Sequence, residues 1–195
     1  MLSSTRAVFI VVLLLLLVAC ATATGGRPKW IDKPNEDLLE ESKTARFAVG
    51  MVEGYSEGDL RLAAAAMARH ELANYVNVRI EGSVKSALAE QQNLVNPGED
   101  VSEVVLKSVT EQSTGMVLAL TTVENYFAEK LEGGKLKVYA RVKLDLPSTI
   151  ERLKTMLAAS VQSGEPGKKL FLEDKAAEGL TAIHKALDKQ FETAQ

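Results

Sequence analysis

The residues best suited to metal chemistry form an incomplete zinc motif in a predicted helix. His70 and Glu71 are followed by Asn74, which stands where a helical His-Glu-x-x-His site carries its second histidine. A catalytic zinc ion needs three protein ligands and a water molecule, and the other histidine, His184, lies in a distant segment. The pattern therefore favours a solvated helix face, and we expect no metal site and no cofactor.

Three glycines lie between a predicted strand and a predicted helix, where nucleotide-binding folds place phosphate-binding glycines. Gly50, Gly54 and Gly58 do not have Gly-x-Gly-x-x-Gly spacing, and neither Gly-Lys-Ser nor Gly-Lys-Thr follows them. Turn geometry and close packing of a helix explain them better. Acidic residues fall on charged faces rather than as pairs in an apolar setting, so we expect no enzymatic activity.

A charged stripe and a single tryptophan are the candidate interaction residues. Lys137, Tyr139, Arg141 and Lys143 alternate with apolar residues late in the chain. Such a stripe is either the solvent-facing side of an antiparallel sheet, which we favour, or a surface for an anionic lipid headgroup or glycan polymer. Trp30 lies in a polar segment, and its indole is expected either to dock on the folded domain, which is favoured, or to enter the headgroup region.

The first twenty residues have the layout of a bacterial lipoprotein signal. Arg6 precedes the apolar run Ala7–Val18, which spans only about 18 Å as a helix and is short for a membrane-spanning segment. Leu17-Val18-Ala19-Cys20 resembles the lipobox, and Cys20 is the one cysteine of the chain. We therefore predict cleavage between Ala19 and Cys20, with diacylglycerol and palmitate on Cys20. An ordinary signal peptide or an uncleaved anchor is the alternative.

Composition limits the partners and the size of the protein. Removal of residues 1–19 leaves 176 of the 195 residues, enough for one medium domain. The net charge is −3, with acidic and basic residues interspersed, so nothing indicates nucleic-acid binding. Because Ala21 is not acidic, resemblance to Gram-negative lipoproteins implies the outer membrane, facing the periplasm rather than the cell surface.

Hydrophobic periodicity predicts the elements of the mature chain. We predict a lipidated N-terminus and tether over residues 20–46, an α+β domain over 47–146 and a C-terminal helical extension over 147–195. Within the domain, the pattern predicts a strand at 47–52, a helix at 57–75, a strand at 76–80, a short helix from Val101 closed at Gly115, and a hairpin. The hairpin pairs residues 116–127 with 136–146 around Gly133-Gly134, whose positive φ values suit a tight turn.

The C-terminal pattern predicts two helices. Their apolar stripes are Ile150, Leu153, Leu157 and Val161 in the first and Leu172, Ala176, Leu180, Ile183 and Leu187 in the second. The second stripe must be buried, either on the domain itself, which is favoured, or on another copy. The expected fold class is α+β, with helices packed on one face of a small, mainly antiparallel sheet and a C-terminal helical extension.

Several pieces in order resemble the twenty-kilodalton outer-membrane lipoprotein family, which includes flagellar basal-disk lipoproteins. The resemblance covers about residues 28–146, and its most specific parts are Pro28-Lys29-Trp30 and Ala68-Arg69-His70-Glu71-Leu72-Ala73. It implies a non-enzymatic envelope component that contacts other envelope proteins or its own copies, sometimes as a homo-oligomer. The alternative is a periplasmic binding module for a small ligand or cell-wall polymer that regulates a wall-synthesis enzyme.

Overall fold

The computed structural model describes residues 26–35, 38, 41, 44–90, 101–163 and 175–192. In this part of the chain three strands form one antiparallel sheet of order β1-β3-β2, accompanied by four helices. The strands are β1 (Ala45–Gly54), β2 (Thr121–Lys130) and β3 (Leu136–Asp145), and the helices are α1 (Glu57–Glu90), α2 (Val101–Leu120), α3 (Leu146–Ser163) and α4 (Ala176–Glu192). The predicted α+β class is confirmed, including its C-terminal helix.

The sheet is built on the predicted hairpin. Gly133 and Gly134 have φ values of 72° and 78°, and the Leu131 backbone N–H donates to the Lys135 carbonyl at 2.8 Å. β1 lies on the other side of β3, with Gly54 opposite Leu136. The end of β1 and the hairpin turn therefore lie at the same end of the sheet, which we call the hairpin end.

Helix α1 covers one face of the sheet at very short distance. A Cβ atom on Gly50 would lie 1.9 Å from the Ala64 carbonyl oxygen and 2.7 Å from the Ala68 nitrogen. Only glycine allows the strand and the helix to approach this closely. The predicted packing role of Gly50 is confirmed.

Beyond the sheet, the second half of α1 packs with α2 and α4, and α3 packs against α2 and α4. One hydrophobic core joins the two parts, since Val142 and Leu144 of β3 belong to the same cluster as Ile80 of α1 and Leu187 of α4. The α1–α2 contact also has polar bonds: Ser113 Oγ donates to Asn77 Oδ1 at 2.6 Å, and Asn77 Nδ2 donates to Thr114 Oγ1 at 3.2 Å. No helix of the described residues is both long and apolar enough to cross a membrane.

The strand predicted at residues 76–80 is wrong, because these residues continue α1. Val76 and Ile80 are fully buried while Val78 is 64% exposed. A period of two and a period of 3.6 both place residues i and i+4 on one side, so Val76 and Ile80 fit either structure. The exposure of Val78 follows the helical period.

The predicted helix end at Gly115 and strand start at Met116 are also wrong. Helix α2 continues to Leu120, and β2 begins at Thr121. Gly115 has no positive φ and therefore does not end the helix as a C-terminal glycine cap does. Val109 and Val117 are fully buried and keep one face of the helix continuous through the glycine.

The C-terminal helices dock within the chain, as favoured from the sequence. Leu153 and Leu157 of α3 and Ile183 and Leu187 of α4 are almost completely buried. The pattern missed Phe191, which is 2% exposed and meets Tyr75 of α1 edge-on, with 6.1 Å between ring centroids. The side chains of Val161 and Leu172 lie outside the described residues.

Candidate functional site

The face of the sheet opposite the helices is covered by residues 26–35, which we call the strap. A single 3₁₀ turn at Lys29–Ile31 places Trp30 and Ile31 on the sheet, each 8% exposed. They form a second, smaller hydrophobic cluster with Tyr139, against which Val49 and Phe127 pack. This cluster contains residues from all three strands.

Arg141 is the polar centre of the strapped face and is only 4% exposed. Its guanidinium carbon lies 5.4 Å from the Trp30 ring centre and 5.6 Å from that of Phe47. Its Nη1 donates to the Pro34 carbonyl at 3.5 Å, and with the Asn125 amide oxygen turned toward it, Nη2 donates at 2.9 Å. Stacking and hydrogen bonds together allow the buried charge, and through them Arg141 joins the strap to the sheet.

Tyr139 and Arg27 form the contact at the start of the strap. The Arg27 guanidinium carbon lies 5.2 Å from the Tyr139 ring centre, and Arg27 Nε lies 3.6 Å from a Glu129 carboxylate oxygen. Burial, and then the charge of Glu129, raise the pKa of the Tyr139 phenol. Tyr139 therefore stays neutral at physiological pH and acts as a packing surface.

The two lysines of the stripe form ion pairs at the borders of the strapped face. Lys137 Nζ lies 2.7 Å from Glu53 of β1, and Lys143 Nζ lies 3.0 Å from Glu41. The hydrogen bond to Glu53 and its charge raise the pKa of Lys137. Both lysines are partly exposed, so these pairs contribute little to stability.

The predicted interaction residues differ in whether the strap covers them. Trp30 docks on the folded domain, as favoured from the sequence. The preferred solvent-facing reading of the stripe is wrong for Tyr139 and Arg141, because the strap covers them. The alternation of residues along β3 correctly predicts two faces. It does not predict that the strap, more than one hundred positions earlier in the chain, covers one of them. Ala19 and Cys20 lie outside the described residues.

The two histidines lie in different helices, His70 in α1 and His184 in α4. His70 is exposed on α1, whereas His184 Nε2 lies 3.2 Å from the Lys154 carbonyl oxygen. Among the described residues no cluster of three or more His, Cys, Asp or Glu side chains could hold a metal ion.

The sequence reasoning missed one motif, Gly54-Tyr55-Ser56-Glu57-Gly58, which has the letters of a nucleophile elbow. Ser56 immediately precedes α1, and its carbonyl accepts a hydrogen bond from the Leu60 N–H at 3.0 Å. No described residue other than glycine has a positive φ, so Ser56 does not adopt a strained elbow conformation. His70, further along the same helix, is about 20 Å from Ser56 at 1.5 Å per residue, and the geometry is that of a helix start.

A surface groove of about 590 Å³ lies between the end of α1 and α4. Ser86 and Glu90 line one side, and Glu178, Lys185 and Lys189 line the other. Its charges are mixed, and it is separate from the strapped face.

Neither the protein-family models, nor the curated proteins, nor the solved structures contain a match to this chain. The family resemblance carried by residues 28–146 therefore stays a prediction.

Proposed function

We propose that this protein is a non-enzymatic lipoprotein of the outer membrane, anchored through acylated Cys20 and facing the periplasm. Its role is that of an envelope structural component that contacts other envelope proteins or further copies of itself. The observation that carries the proposal is the strap. The strap, which begins six residues after Cys20, is folded onto the sheet through Trp30 and Arg141.

The strap supports an anchored protein for a physical reason. A lipid anchor positions a domain only when the chain between them is short or fixed. Only residues 21–26 separate Cys20 from Arg27, the first strap residue that contacts Tyr139. In the proposed arrangement, acyl chains on Cys20 would hold the protein at the bilayer, and the docked strap would hold the domain close to them.

Acylation is tested by metabolic labelling with palmitate in a Gram-negative host. We expect the wild-type chain and a Thr22→Ser control to be labelled and to fractionate with the outer membrane. Cys20→Ser should remain an unlabelled precursor of higher mass. Labelling of Cys20→Ser equal to that of the control would refute the anchor.

The partner class is tested by cross-linking in intact cells, followed by purification and mass spectrometry. Recovery of envelope proteins, or of cross-linked copies of this chain, is expected with the wild type and lost with the unacylated Cys20→Ser precursor. Partners recovered equally with both forms would contradict a role that depends on acylation and transfer to the outer membrane.

The groove between α1 and α4 favours the second candidate function, a binding module for a small ligand or cell-wall polymer. Lys185 and Glu90 both line it, so it contains groups of both charges that suit a zwitterionic wall fragment. Titration with soluble wall fragments, followed by calorimetry, tests this candidate. Saturable binding that is lost in Lys185→Glu but kept in Lys107→Glu, at an exposed position of α2, would support it.

A further inference from the structure

We infer that the hairpin end of the sheet is the membrane-facing end of the protein, with Tyr55 at the phospholipid headgroup surface and the far end of the helices directed away. This inference rests on the proposed anchor at Cys20. The hairpin end is thus the docking surface, and the bilayer that carries the acyl chains is its partner.

The covalent distance from the anchor limits where the domain can lie. Seven peptide units join Cys20 to Arg27, so the two Cα atoms are at most about 25 Å apart at 3.3–3.6 Å per residue. Arg27 is fixed to the sheet by its contacts with Tyr139 and Glu129. The sheet therefore cannot move further from the membrane than this short segment allows.

Topology determines which part of the sheet the anchor reaches. The strap meets Tyr139 and Glu129 through Arg27, and it meets Arg141 later, through Trp30 and Pro34. Tyr139 is nearer to the hairpin turn than Arg141 along β3. The chain therefore enters the domain from the hairpin end and runs away from it.

The hairpin end has surface chemistry that suits a headgroup region. Tyr55 directly follows β1 at this end and is 70% exposed. Tyrosine rings favour the membrane–water interface, so an exposed Tyr55 suits this surface. Lys130 and Lys135 flank the turn, and Glu132 in the turn and Asp59 in the first turn of α1 are of opposite charge. The other charges at this end form ion pairs, Lys137 with Glu53, Arg61 with Glu57 and Arg27 with Glu129. Because these charges balance, we expect the contact to depend on the Tyr55 ring more than on anionic lipid.

Helix α1 leads away from this end. It starts at Glu57, directly after Tyr55, and has 34 residues, which gives a length of about 50 Å at 1.5 Å per residue. Its first half crosses the sheet and its second half belongs to the helical part. Asp59 and Glu90 are exposed at its two ends, and they provide matched positions for measuring which end lies near the bilayer.

The test uses the full, lipidated chain in vesicles of phosphatidylethanolamine and phosphatidylglycerol with a fluorescent acceptor on some headgroups. Because acylation occupies Cys20, the cysteine of Asp59→Cys or Glu90→Cys is the one free thiol for a maleimide donor dye. We expect energy transfer from position 59 to exceed that from position 90 several-fold. Adding Tyr55→Ser should lower transfer from position 59, whereas Tyr126→Ser, in the middle of β2, should not.

Flotation with vesicles and palmitate labelling are measured on the same samples. Acylated protein with equal transfer from both positions, or greater transfer from position 90, would overturn the orientation and leave the proposed function intact. An unchanged transfer in the Tyr55→Ser variant would overturn the Tyr55 contact. Protein that neither floats nor incorporates palmitate would overturn the proposed function, and the orientation with it.

Discussion

Arg141 shows how one side chain can hold a covering segment on a sheet. A buried guanidinium without partners is destabilising, but here Trp30 and Phe47 lie beside it and Pro34 accepts one of its hydrogen bonds. Removal of the charge or of the rings should therefore loosen the strap while the helices stay folded. Because Trp30 is the single tryptophan of the chain, its fluorescence reports on the strap alone.

We predict that Arg141→Met shifts the Trp30 emission maximum to longer wavelength in native buffer, because the strap loses both its stacking partner and its hydrogen bond to Pro34. Circular dichroism should show the same helical content as the wild type. Lys143→Met is the control, since it removes a partly exposed ion pair worth roughly 0–1 kcal/mol. A buried emission spectrum in Arg141→Met would show that Arg141 does not hold the strap.

A second residue-scale prediction concerns Asp145, whose Oδ1 accepts a hydrogen bond from the Ser148 backbone N–H at 2.9 Å at the start of α3. Hydrogen bonds from the Ser148 side chain and backbone lower the pKa of Asp145. The ionised form is thus favoured in the folded state, so its stabilisation is present above pH about 4 and is lost as the pH falls through the lowered pKa.

Asp145→Ala should accordingly cost about 1 kcal/mol of unfolding free energy at pH 7, the usual cost of a lost helix cap. The difference from the wild type should shrink when chemical denaturation is repeated near pH 3. Asp145→Asn keeps a capping side chain without a titrating charge and should lose less. A cost for Asp145→Ala that is independent of pH would contradict the role of the charge.

Among the elements, the contact between β1 and α1 is the least tolerant of added volume. We predict that Gly50→Ala destabilises the protein by about 3 kcal/mol or more, because the new methyl group meets the backbone of Ala64 and Ala68, which cannot move aside as a flexible side chain can. Gly58→Ala, in the first turn of α1 with nothing within 4 Å, should be neutral or slightly stabilising. Thermal unfolding of the two variants compares them directly, and equal melting temperatures would refute the close contact.

The sequence predicts the type of an element correctly where its apolar residues fit only one period, either that of a strand or that of a helix. The hairpin with its two glycines, the first strand and the apolar stripes of α3 and α4 are of this kind. Val76 and Ile80 fit both periods. The predicted helix ends too early because Val78 is apolar and therefore fits a buried strand position, although its side chain is exposed on α1. Gly115 resembles a helix end in the sequence, but a glycine inside a helix costs only about 1 kcal/mol of stability relative to alanine, so the helix continues through it.

The sequence predicts less of the candidate site than of the fold. Trp30 and Arg141 were both selected, but their meeting across the sheet depends on a contact between residues 111 positions apart, which no local period reports. The lysines of the same stripe are more exposed than Arg141 because they lie at the border of the strap. The strap determines which side chains on this face of β3 are exposed. The alternation of apolar and polar residues along the strand would be the same without the strap and therefore does not predict it.

At the scale of the whole molecule, α4 joins the helices and the sheet in one core. Ile183, Leu187 and Phe191 are buried in the cluster that reaches Val142 and Leu144. Lys154 of α3 also pairs with Asp188 at 2.8 Å, and this hydrogen bond raises the pKa of Lys154. The C-terminal helix should therefore unfold together with the rest.

We predict that Leu187→Ala lowers the unfolding free energy of a soluble form beginning at Gly25 by 2–5 kcal/mol, the usual range for a buried leucine. Exposed Lys185→Ala in the same helix is the control and should change it little. Sedimentation run in parallel should show the same association state for both. If Leu187→Ala instead turned an oligomer into a monomer without a change in melting, α4 would be an assembly element.

The direction of the strap also has a mechanical consequence. If Cys20 is held in the bilayer as proposed, a load on the domain pulls the strap along its own length toward the hairpin end. The contacts of Arg27, Trp30 and Pro34 would then share the load and give way together rather than one after another. The 17 residues from Arg27 to Lys43 have an extended contour length of about 60 Å. Because β1 begins only at Ala45, release of the strap would lengthen the tether while the sheet and the helices stay folded.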